Sequence, residues 1–141
     1  MTPDDEQFLR RAIALARTSR EAGQAPYGSL LVGPDGRVLA EDHNSVLADG
    51  DIAAHPEQKL ARWAARELDR ATAAATTLYT SCQPCPMCTG AIDRSGLGRV
   101  VYALSAEQFA ERYPDSVAPS VPQDGPALYE EAVAVLDGYE R

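Results

Sequence analysis

His55, Glu57, Cys85 and Cys88 are the residues of this chain whose types and spacing suit chemistry. The two cysteines lie in Pro84-Cys85-Pro86-Met87-Cys88. Residues three apart on a helix share a face, so both thiolates can converge on one point. A helix start carries partial positive charge, which favours thiolate over thiol. His55 adds an imidazole. Two thiolates and one imidazole make three protein ligands with a fourth position open to water, the pattern of catalytic rather than structural zinc. Glu57 follows two residues after His55. Inside a helix such a pair diverges, but Pro56 suits the first helical position, which makes His55 the cap and puts Glu57 in the first turn. From there a carboxylate can reach a water at the metal and carry protons. Spacing alone also admits a closed site with Cys82 as fourth ligand, although no closed site needs Glu57. An iron–sulfur cluster wants four thiolates, and the chain has 3 cysteines.

The elements that must position these residues follow from periodicity and breakers. Phe8, Leu9, Ala12, Ile13 and Ala16 recur at helical spacing between about Asp4 and Gly23. Gly28–Val32 reads as a strand, Pro34-Asp35-Gly36 as a turn and Arg37–Ala40 as the returning strand. Asn44–Ala54 is a predicted loop. A second helix runs from about Pro56 to Leu68, a strand covers Thr76–Thr80, and a helix follows from Cys85 to about Arg94. Gly98–Ala103 is a further strand, Ser105 caps a helix to about Arg112, and Ala127–Leu136 is a last helix. The strand over 76–80 delivers the cysteines to its C-terminal edge, where α/β sheets usually place their sites. Strands alternating with helices after the first hairpin imply parallel pairs, hence an α/β three-layer sandwich with a mixed sheet.

The chain has 141 residues, enough for one domain with its own core. Hydrophobic residues make up 45% and charged residues 24%, a globular composition. The acidic start and the lack of a long apolar run give the expectation of a cytoplasmic protein without a membrane span. Three cysteines packed into one short segment read as metal ligands rather than a disulfide framework. Net charge is -8, which repels phosphate backbones and makes nucleic acid an unlikely partner.

The pattern H-x-E followed by P-C-x-x-C resembles the zinc-dependent cytidine/deoxycytidylate deaminase superfamily. The likeness is wider than that signature. Pro26-Tyr27-Gly28-Ser29-Leu30 is similar to the family's P-F/Y-G-A segment, Asn44 sits where a base-contacting Asn precedes the His motif, and Asp51–Glu57 resembles D-P-T-A-H-A-E. Leu78–Cys88 resembles the version found in bacterial guanine deaminases, and tRNA-adenosine deaminases share the zinc motifs. The resemblance spans roughly residues 5–115. Pro56 stands where the family usually has Ala, and Gln83 where Glu is common.

What the resemblance implies is a cytidine deaminase-type sandwich with a mixed five-stranded sheet, zinc on His55, Cys85 and Cys88, and Glu57 as the proton carrier. It also implies that Asn44 and backbone N–H groups near Ala54 and Cys85 hold the ring, and that two copies form a homodimer through Ala-rich helices after Glu57 and Cys85. Residues 113–141 read as a lid or tail that holds Tyr113, Asp115 and Val117 and ends near Tyr139. Asp115 falls near an acidic position that contacts the base in guanine deaminases, and Tyr139 resembles the terminal aromatic that closes that pocket, from the same subunit or its partner. The expected function is hydrolytic deamination of a free nucleobase or related small ring (guanine, cytosine, isoguanine or an aminotriazine). A tRNA-adenosine or nucleoside deaminase is the second reading, and a non-catalytic zinc-stabilised interaction module the third.

Overall fold

The computed structural model describes residues 1–116 and 120–140. Helix α1 spans Pro3–Glu21. Thr2 caps it in a reciprocal box: Asp5 N–H donates to Thr2 Oγ1 at 3.1 Å and Thr2 N–H to the Asp5 carboxylate at 2.8 Å. The hairpin follows as β1 (Gly28–Val32) and β2 (Val38–His43). A short helix α2 (Val46–Asp49) interrupts the stretch expected to be only loop. Helix α3 covers Pro56–Glu67, and α4 (Arg70–Ala74) is a single turn too short for periodicity to reveal. Then come β3 (Thr77–Cys82), α5 (Pro86–Ser95), β4 (Arg99–Leu104), α6 (Ala106–Arg112) and α7 (Tyr129–Ala134).

The sheet order is β2-β1-β3-β4. Only β3 and β4 pair in parallel; β1 runs antiparallel to both β2 and β3. The five-stranded sheet is corrected to four strands among the described residues. After α6 the chain makes a 3-10 turn at Pro114–Ser116, and residues 120–128 are irregular before α7. Pro114, Pro122 and Pro126 have no N–H to give a fifth ladder.

The three layers follow from strand alternation. Leu30, Val32, Tyr79 and Val101 point to one side and pack on Leu9 and Ala12 of α1. Leu31 and Leu78 point to the other and pack on Leu60, Ala61 and Ala64 of α3 and Ile92 of α5. Gly28 sets the closeness of the first contact. A Cβ there would sit 2.5 Å from both Ala12 O and Ala16 N of α1, so no other residue lets that helix lie on the start of β1. Asp5 ties the same helix to the far strands. It is 2% exposed, accepts from Tyr79 Oη at 2.6 Å and is gripped by both Arg99 terminal nitrogens at 2.9 and 3.0 Å. Arg99 and Tyr79 hold the Asp5 carboxyl far below the usual carboxylate range. Burial and Asp5 push the Tyr79 phenol up to about 12. Among the described residues, no helix is long and apolar enough to cross a membrane.

Candidate active site

The strand–helix junction after β3 and the start of α3 meet at one end of the sheet. His55 is the N-cap of α3 and Cys85 the N-cap of α5, each followed by proline at the first helical position. Neither side chain makes a capping hydrogen bond. An N-cap side chain normally turns back to its own helix; these two face each other instead. His55 Nδ1 lies 3.7 Å from Cys85 Sγ and 3.5 Å from Cys88 Sγ. Zinc in a tetrahedral shell, at about 2.3 Å from sulfur and 2.0–2.1 Å from nitrogen, sets sulfur and nitrogen about 3.6 Å apart. The two separations bracket that value. The three donor atoms all lie within 4.8 Å of one another.

Donor chemistry agrees with geometry. Burial, then Glu57 and Cys85, push the Cys88 thiol well up, since a second anion and a low-dielectric wall both oppose thiolate. A divalent cation at the shared point removes that opposition, which is what a metal site built from thiols requires. Cys82, at the end of β3, stands outside the cluster and is half-buried, with its thiol pushed up by burial. The described residues therefore converge three ligands, with Cys82 left at the strand end.

Glu57 is 7% exposed and sits in the first turn of α3. Burial pushes its carboxyl above the ordinary carboxylate range, against the opposing pull of its own backbone N–H, His55, Cys88 and Ser29. Its Oε1 lies 3.4 Å from Ser29 Oγ on β1, which is in turn 2.8 Å from Thr80 Oγ1 on β3. Ser29 and Thr80 share the sheet face of Leu31 and Leu78, so this is the polar end of an otherwise apolar face. Sequence reading placed Ser29 only within a motif and gave Thr80 no role; hydroxyls at buried, in-facing strand positions were the available signal.

Asn44 is 2% exposed just beyond β2. Its N–H donates to Tyr27 O and the next N–H, of Ser45, to Ala54 O, both at 3.0 Å, which fastens it beside the residue preceding His55. Val46 N–H occupies Asn44 Oδ1 at 3.1 Å, so Nδ2 is the group left to meet a ligand. Ala54 is buried, and its N–H donates to Asp51 O at 3.0 Å, closing the turn that leads into His55. Gln83 fastens a neighbouring element: its Oε1 accepts from Ala106 N at the start of α6 at 2.9 Å.

Tyr27, which stands out in the sequence only within the Pro26–Leu30 segment, borders the site. Burial first, then the neighbouring Cys82 and Glu57, push its phenol up. Its ring meets Phe109 at 6.1 Å between centroids, and Phe109 meets Tyr113 at 5.1 Å. Asp115 lies beside this aromatic wall, lining a surface cavity with Tyr27, Phe109 and Tyr113. Tyr139 is 69% exposed in the C-terminal segment, and the structure does not bring it to the metal ligands. Val117 lies outside the described residues.

Comparison with known proteins points the same way. Residues 2–104 match the family model described as the cytidine and deoxycytidylate deaminase zinc-binding region. The chain is 40% identical to guanine deaminase of Bacillus subtilis over 75% of its own length and 68% of that protein. It is 36% identical to a probable cytosine deaminase of Schizosaccharomyces pombe over 76% of this chain and 64% of the relative, less than two thirds of that protein. A tRNA-specific adenosine deaminase of Buchnera aphidicola matches at 35% identity over 72% of this chain and 66% of the relative. The crystal structure of the Bacillus subtilis guanine deaminase superposes with a TM-score of 0.72 at 32% identity, covering 97% of this chain and 93% of the other.

Proposed function

This chain belongs to the cytidine and deoxycytidylate deaminase zinc-binding family, and on that premise we propose that it hydrolytically deaminates a free nucleobase or a similar small aminated ring, with release of ammonia. The observation that carries the reading is a buried carboxylate, Glu57, set in the helix turn after a three-ligand His55–Cys85–Cys88 cluster. A site built only to hold structure has no use for that carboxylate.

Zinc held by His55 Nδ1 and the thiolates of Cys85 and Cys88 would supply Lewis acidity that brings a water's pKa toward neutrality. Glu57 accepts a proton from that water and delivers it to the ring nitrogen beside the amine-bearing carbon. The water's oxygen bonds to that carbon, Glu57 takes the remaining proton of the new hydroxyl and gives it to the amine, and the C–N bond breaks to release ammonia. Ser29 and Thr80 keep the carboxylate turned toward the ligand cluster. Asn44 Nδ2 and the start of α5 at Cys85 bind the ring edge. Asp115 recognises the ring from the aromatic wall, and Tyr139 closes over it when the C-terminal segment folds inward.

Guanine is the first ring to test, since the guanine deaminase comparison covers most of both chains. The tRNA-adenosine reading shares every zinc-site residue. It is disfavoured by a net charge of -8, with 21 acidic residues against 13 basic ones, which repels an RNA backbone. An ammonia-release screen across guanine, cytosine, isoguanine, an aminotriazine, nucleosides and a tRNA anticodon stem-loop tests the reading. Turnover of a free ring, abolished in Glu57→Ala, is the expected result. Release from the stem-loop alone would replace it with the RNA reading.

We also propose a homodimer formed through α3 and α5. The groove between them is lined by the small residues Ala65, Gly90 and Ala91 between Arg62 and Arg94, with Met87 39% exposed beside them. On the same face Gln58 Oε1 is buried with no hydrogen-bond partner among the described residues, a group that a second copy would satisfy.

A further inference from the structure

Lys59 is the one lysine in the sequence, and it stands on α3 one turn after His55, with its N–H donating to His55 O at 3.0 Å. Its side chain turns away from the metal ligands toward the end of β2. There Nζ meets three acceptors: Ser45 Oγ at 2.8 Å, His43 O at 2.9 Å and Asp42 Oδ1 at 3.0 Å. An ammonium has three donors around one point, and here all three are used. The three acceptors come from the residues that bracket Asn44 on both sides.

The loop has other fastenings. Asn44 N–H donates to Tyr27 O, and Asn44 O accepts from Ser19 Oγ at 3.2 Å. Those tie it to the start of β1 and to α1. Lys59 is the side-chain tie to the helix that also carries His55 and Glu57. Together with the backbone bond from Ser45 N–H to Ala54 O, it sets the distance between the ring-binding amide and the reacting groups through one rigid element. As a source of stability it counts for little, because both partners of its ion pair are substantially exposed, Lys59 by 25% and Asp42 by 37%. Its worth is geometric, and misplacing a binding group by about 1 Å can cost on the order of 10²-fold in rate.

We propose that Lys59 is a positioning residue: by binding Asp42, His43 and Ser45 together it holds Asn44 Nδ2 at the ring edge, in register with Glu57. The inference rests on the deaminase reading given above. Arginine is no substitute, since a planar fork cannot bring three acceptors to one nitrogen.

The test compares wild type, Lys59→Met, Lys59→Arg, Asn44→Ala and the Lys59→Met/Asn44→Ala double variant. The probe is whichever of guanine, cytosine, isoguanine and the aminotriazine the wild type turns over fastest. Hydrogen exchange at residues 44–46 and zinc content are measured alongside. Lys59→Met should raise KM about tenfold with a smaller change in kcat, speed exchange at residues 44–46, and keep its zinc. In the Asn44→Ala background the same substitution should change KM by less than about twofold, because the residue it acts through is gone. Lys59→Arg should melt near wild type yet still raise KM, so the outcome does not depend on Lys59→Met folding. Unchanged KM and exchange in both single variants, or a full tenfold effect persisting without Asn44, would overturn the proposal. A wild type that releases ammonia from none of these rings would overturn the free-ring deaminase reading on which it stands, a failure visible before any variant is made.

Discussion

Glu57 and Cys88 neighbour one another, but the jobs assigned to them are separable, and substitution should show it. Glu57→Gln keeps shape and removes the proton carrier. It should lower turnover by at least about 10²–10⁴-fold while zinc stays stoichiometric and melting is near wild type. Near-normal turnover would remove Glu57 from the chemistry. Cys88→Ser removes a buried ligand that packs at 0% exposure, so zinc content by metal analysis should fall sharply. Undiminished zinc in that variant would show that the cluster is not the site. The convergence of His55, Cys85 and Cys88 was legible in the sequence, because ligand spacing and proline at the first helical position are local signals. The bond from Ala54 N–H to Asp51 O was not, since it depends on how the intervening turn closes. Ser29 and Lys59 were not either: each works across elements distant in the chain, and no periodicity reports such a pairing.

Among the elements, α1 shows how a cap, an ion pair and a close approach combine. Asp5 contributes to the cap of its own helix and to the grip of Arg99 and Tyr79 from the strands. Folding holds its carboxyl below the usual range, so the cluster stabilises the protein fully above about pH 4 and loses that contribution as pH falls toward the folded-state value. Asp5→Asn should lower Tm at pH 7 by on the order of 5 °C, with the gap to wild type narrowing at pH 3. A gap that stays constant between those values would show that the charge of Asp5 contributes nothing. Gly28→Ala should be the costlier change for a different reason: its new methyl meets backbone rather than a side chain that can swing away. The boundaries of α1, β1 and α3 were readable within a few residues because caps and breakers mark them. Helices α2 and α4 hold one turn each, too short to build a period, and the fifth strand was an inheritance of resemblance that the prolines after α6 do not support.

At the scale of the whole molecule, assembly and the C-terminal segment carry the remaining expectations. Light scattering at micromolar protein should give twice the chain mass, and Gly90→Arg, which places a long charged side chain on the face of α3 and α5, should shift the population to monomer. A wild-type monomer would assign that face to something else. From residue 120 to residue 140 every described residue except Val133 is exposed, including Val121, Tyr129, Val135 and Tyr139, each at least 69%. So much apolar surface on one segment marks it for contact rather than solvent. Removing Asp137–Arg141 should raise KM or lower kcat on the best free base without releasing zinc; unchanged kinetics would make the segment packing only. Net charge of -8 adds that activity on a small neutral ring should respond weakly to salt, since no phosphate contacts are screened.

The isolation of Lys59 also decides how this protein meets amine-directed reagents. Acylating esters find no other lysine side chain in the sequence, and this one has its three protons committed to Ser45, His43 and Asp42. Its nitrogen becomes nucleophilic only when the ties break and a proton leaves. Acylation of Lys59 under native conditions therefore clocks the opening of the loop around Asn44, and a bound ring should slow that clock.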